Sequence, residues 1–76
     1  MIPRTALKLI DAEYQQASSR YPKFNSPHEG LAILQEEFEE LKAEVFKNHN
    51  SRDPNAMRGQ AIQVGAMAMR FLVDLG

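Results

Sequence analysis

The sequence predicts an all-α chain of three helices that assembles into an oligomeric helical bundle. Three observations predict it. Apolar residues recur three and four apart in each third of the chain, as one face of a 3.6-residue turn requires. Proline stands at the expected first turn of every one of these segments, where its missing N–H costs nothing. The last segment is apolar on two faces, so it needs two partners.

The first helix is expected over residues 3–20. Leu7, Ile10, Tyr14 and Ala17 form its stripe, which Tyr21 would continue. They read as core, with the Tyr14 hydroxyl at the rim; stacking of Tyr14 on a base is the functional alternative. Tyr21-Pro22 ends the helix, because the residue before proline is pushed out of the helical region, and Phe24 reads as a plug in the loop that follows.

The second helix is expected over residues 27–48. Ser26-Pro27-His28-Glu29 is a start signal: serine as N-cap, proline first, and a glutamate three after the serine to close a capping box. His28 and Glu29 could be read as a metal or acid–base pair, but Glu29 has its capping role and His28 lies off the core stripe. Leu31, Leu34, Phe38, Leu41 and Val45 form that stripe, the expected core face. Five carboxylates crowd residues 35–44, which is mildly costly on an isolated helix because glutamates three and four apart repel. Glu37, Glu40 and Glu44 share the flank beside the stripe with Ile33, while Glu36 and Glu39 point further out. A solvated acidic face is the plain reading. The sharper one is a site for a hard cation such as Mg²⁺, which takes carboxylate oxygens together with phosphates and water.

Asp53-Pro54 repeats the start signal for a third helix over residues 54–75. Met57, Ala61, Val64, Ala68, Phe71 and Leu75 line one side, and Ile62, Ala66, Met69 and Val73 line nearly the opposite one. In so short a chain the second face is expected to meet another subunit. Between the two faces runs a polar edge of Gln60, Gln63, Arg70 and Asp74, with Met67 in line. If helices two and three pair antiparallel, as a short connection favours, this edge faces the acidic flank. Arg70 then either pairs with a glutamate or, with Met67, walls a pocket for an anionic, planar ligand.

Composition narrows the function classes. A 76-residue chain is one domain, and at that size it buries only about 60% of the surface its unfolded form exposes. Without cysteine there is no disulfide framework and no thiolate zinc site. A net charge of −1 with no basic cluster offers a nucleic-acid polymer no electrostatic surface. No apolar run is long enough for a bilayer and no signal peptide precedes the first helix, so no membrane role and a cytoplasmic location are expected.

The stretch Leu34-Gln35-Glu36-Glu37-Phe38-Glu39-Glu40-Leu41, followed by Arg52-Asp53-Pro54 and Met57-Arg58-Gly59-Gln60-Ala61-Ile62-Gln63-Val64, resembles small MazG-like proteins of the all-α nucleoside triphosphate pyrophosphohydrolase superfamily. The likeness covers about residues 26–75. It implies Mg²⁺-dependent (or Mn²⁺-dependent) cleavage of a nucleoside triphosphate to monophosphate and pyrophosphate by a dimer or tetramer. In that family one Glu-x-x-Glu motif and a second Glu-x-x-Asp motif hold the metal. Glu37 and Glu40 match the first and become the expected catalytic metal ligands, with Glu36 and Glu44 as further ligand candidates; Gln60, Gln63 and Arg70 are the expected nucleotide contacts. The chain departs from the pattern at the second motif, where Gln60 and Gln63 stand in place of the two acids. Amides bring no charge and cannot act as a base, which lowers expected metal affinity and water activation. The alternatives are a nucleotide-binding oligomer that sequesters or senses without catalysis, and a purely structural helical oligomer.

Overall fold

The computed structural model describes residues 1–76 as three helices and no strand: α1 (Pro3–Arg20), α2 (Pro27–Val45) and α3 (Pro54–Leu75), with one 3-10 turn at His49–Ser51. All three helices open on proline. The Ser26 hydroxyl caps α2 by accepting from Glu29 N at 3.1 Å, and Asp53 Oδ1 caps α3 by accepting from Asn55 N at 2.9 Å. The return half of the capping box shifts by one residue: Glu29 takes the N–H of Asn25 (3.2 Å) and its side-chain amide (3.2 Å). α2 stops three residues short of the expected position 48, because Asn48 accepts from Asn50 N at 3.0 Å and starts the 3-10 turn. That is local side-chain competition with the helical ladder.

α3 is the centre of the molecule. It packs on α1 and on α2, whereas α1 and α2 make no helix contact with each other. Its two apolar faces are each used in part within the chain, while Val73 of the second stays exposed. Val64, Ala68 and Phe71 lie towards α2, and Ala66 is buried with Ala17 and Tyr14 of α1. Close approach needs a missing Cβ at Gly30, where one would stand 2.7 Å from the Phe71 ring and 3.2 Å from Phe24. The contact joins the start of α2 to the end of α3, so the two run antiparallel. Phe24, expected as a plug, is buried in the core with Ala17, Ala66 and Met67.

The expected core face of α2 is covered only in part: Leu34 and Leu41 are half-buried, and Leu31, Phe38 and Val45 are exposed. Leu31 is 57% and Phe38 49% exposed, and Ile33, on the flank, packs on the core with Leu34. Leu7 and Tyr21 of the α1 stripe are exposed as well. The reason is geometric: with α1 and α2 on separate sides of α3, no third helix lies over Leu31 and Phe38. Only 6 of the 76 residues are buried, a small core for a domain of this length. No helix is long and apolar enough to cross a membrane.

Candidate functional site

Because α1 and α2 stand apart on α3, they leave a cleft between them, floored by α3 and holding a cavity of about 660 Å³. That volume is in the range of small-molecule sites, about 300–1,000 Å³. Its floor is the polar edge read from the sequence: Gln60, Gln63, Met67 and Arg70. Ten residues separate Gln60 from Arg70, so the floor is about 15 Å long, and its two ends differ in chemistry.

At one end Glu36, Glu37 and Glu40 of α2 face Glu13 of α1 across Gln60 and Gln63. Burial pushes the Glu37 carboxyl above its usual range; the charge of Glu40, a shared hydrogen bond with it, and the charges of Glu36 and Glu13 push it the same way. Gln63 donates Nε2–H to Glu13 Oε1 at 2.6 Å. The Gln60 Oε1 is buried without a partner. Glu44, a further candidate, does not line the cleft; it pairs with Lys47 at 2.9 Å.

At the other end lies Arg70, only 4% exposed. It reaches no carboxylate: the chain's one ion pair is Lys47–Glu44. The guanidinium donates Nη2–H to Pro22 O (2.9 Å), approaches Met67 Sδ at 3.7 Å, and stacks 4.3 Å from the Phe24 ring centre, with Tyr21 at 6.0 Å. Its Nε–H is buried without an acceptor. Asp74, one turn further on, accepts the Phe24 N–H at 3.1 Å, forms no ion pair with Arg70 and does not line the cleft. Burying a cation without a counter-charge costs several kcal/mol on general grounds, and such a group in a cavity suits an anionic or acceptor-rich ligand.

The structure therefore brings together Glu36, Glu37, Glu40, Gln60, Gln63 and Arg70 and leaves Glu44 outside. Sequence reasoning missed Glu13, Gln16 and Arg20, the α1 wall. Their spacing of three and four, with Ala17 in the same line, was the available signal. His28 is exposed and lies outside the cleft.

No three acidic or histidine side chains converge closely enough to cage an ion by themselves. Glu37 and Glu40, one helical turn apart, are the two carboxylates that lie together on the α2 wall. Compared with protein-family models, curated proteins and solved structures, the chain finds no match.

Proposed function

We propose that the cleft binds a nucleoside triphosphate and that the protein is a MazG-like pyrophosphohydrolase of low turnover, acting in the cytoplasm as a homo-oligomer. The observation that carries the reading is the polarity of the cleft: Glu13, Glu36, Glu37 and Glu40 at one end, and at the other a buried guanidinium that forms no ion pair, stacked on an aromatic ring, with the Glu29 carboxylate there taken up by Asn25. A nucleotide has the matching asymmetry. Its phosphates need cationic neutralisation, which Mg²⁺ or Mn²⁺ held by Glu37 and Glu40 would supply, and its base is planar and rich in acceptors. Glu36 is a further ligand candidate on the same wall. The residues themselves position the ligand, exclude water at the Phe24 end, and concentrate negative charge at the other. Weak chemistry follows from Gln60 and Gln63, which bring no charge to the acidic end.

Pyrophosphate release across a panel of triphosphates with Mg²⁺ and Mn²⁺ tests this. Slow release from at least one triphosphate is expected, and no binding of any triphosphate would contradict the reading. Binding without release would instead favour a nucleotide-sequestering or nucleotide-sensing role, to which the two glutamines lend specific support.

The oligomer rests on the outer face of α2, where Leu31 and Phe38 stand exposed beside an apolar groove formed with Val64 and Ala68. A patch of that kind on so small a core calls for a covering surface. Light scattering should give at least twice the mass of one chain; a stable monomer at micromolar concentration would exclude it.

A further inference from the structure

We infer that a second copy of this chain docks on the back of the molecule, the side turned away from the cleft, with α1 of each copy lying over α2 of the other. This rests on the oligomer reading above and deepens it by fixing the face and the orientation. Three observations carry it. The first is that the helices form one layer: α1 and α2 both pack on α3 and not on each other. A domain ordinarily closes its core between two layers, and here one side of the single layer is taken by the cleft. The second is the apolar surface on the other side. Leu7 of α1 (68% exposed), Leu31 and Phe38 of α2, and Leu72 of α3 (69% exposed) are all open. At 100° per residue each stands about 130–160° round its helix from the residues that line the cleft. Leu31 and Phe38 border the groove that Val64 and Ala68 complete, and Leu72 lies one turn beyond Ala68. The molecule measures 40 × 27 × 19 Å along its principal axes. A face of the two longer dimensions is large enough for the about 800 Å² per partner that a stable dimer buries.

The third observation is charge, and it selects the orientation. A two-fold axis between the two backs allows like helix over like, or α1 over α2 of the other copy. α2 carries six glutamates and one lysine, whereas α1 carries three basic and two acidic residues. Beside Phe38 the exposed rim holds Gln35 and Glu39, with Lys42 beyond; beside Leu7 it holds Arg4 and Lys8, with Asp11 beyond. Laying α2 on α2 would set the most acidic helix of the molecule against itself, and crossing the helices relieves that repulsion. Each cleft then faces outward, lined by one chain alone.

The test is mass by light scattering at micromolar concentration, with helicity followed by circular dichroism, for wild type, Leu7→Glu and Leu72→Glu. Both side chains are exposed in the single chain, so helicity should hold. A charge buried without a partner in the dimer should raise the dissociation constant at least about tenfold and bring the mass from two chains towards one. A dimer that survives both variants unweakened would overturn the inference and leave the oligomer reading, which rests on α2, standing. A monomeric wild type would assign the face to a different partner and overturn both, with the nucleotide reading untouched. Orientation is read by cross-linking, since the chain has no cysteine of its own. Copies carrying Leu7→Cys and copies carrying Phe38→Cys are mixed and treated with a short bismaleimide. Products joining the two variants should predominate, and Phe38→Cys copies joined mainly to each other would overturn the crossed arrangement.

Discussion

The two ends of the cleft are built on opposite terms. Around Arg70 the cleft is closed by the core itself: Phe24 and Met67 are buried, Gly30 is stripped to fit the rings, and the guanidinium donates to a main-chain carbonyl. Around Glu37 it is open and crowded with like charge, and the floor offers amides where acids would bind a cation. One end is therefore tied to folding and the other is set against it. Concentrating strain of this kind where a ligand would relieve it is a common property of functional sites. The contrast also separates the variants to be made: truncating a core ring at the aromatic end should unfold the protein, and changing a charge at either end should change what it binds.

The largest effect is expected at the aromatic end. Phe24→Ala removes a buried ring from the core and from the face of Arg70, and should cost about 3–5 kcal/mol. A denaturant melt reads this directly; a cost below about 1 kcal/mol would mean that the core does not close that end. A smaller effect is expected from restoring one acid. Gln60→Glu keeps the size of the side chain and puts a charge where Oε1 has no partner, so it should raise pyrophosphate release about tenfold, a step of roughly 1.4 kcal/mol. Adding Gln63→Asp should gain nothing further, because it sets a carboxylate against Glu13. If the double variant outperforms the single one by another tenfold, Glu13 does not oppose an acid at position 63.

The smallest effect is in pH. The folded-state pKa of Glu37 lies above its usual value of 4.5, so between the two the folded chain holds more proton than the unfolded one. Stability should therefore fall as pH rises through that window and level off above the raised value. Glu37→Gln should flatten that fall and be the more stable protein at neutral pH. Melts at stepped pH check it, and a steeper fall in the variant would contradict the assignment.

How much of this was legible in the sequence follows from what each signal depends on. Helix starts were legible because Ser26-Pro27 and Asp53-Pro54 act on their own backbone. The floor of the cleft was legible too, since Gln60, Gln63, Met67 and Arg70 share one edge of one helix. Burial was not. Leu31 and Phe38 carry a core-like periodicity and stand exposed, because periodicity marks an apolar face without saying what covers it. Arg70 showed the same limit from the other side: its position on the edge could be read, but not that it would stack on Phe24 and donate to Pro22 O without forming an ion pair. Glu13 lay outside any motif, and only the placement of α1 on α3 brought it to Gln63, 50 residues away.

The central claim is that the two ends grip one nucleotide, and calorimetry of triphosphate binding with Mg²⁺ tests it most directly, comparing wild type with Arg70→Met. Methionine keeps apolar bulk against Phe24 and removes the cation, so the fold should survive, whereas a charge-assisted hydrogen bond is worth about 1.5–3 kcal/mol. The account predicts saturable binding by wild type and a loss of roughly tenfold or more in the variant. Equal affinities in two folded proteins, or no binding by wild type to any triphosphate, would contradict it.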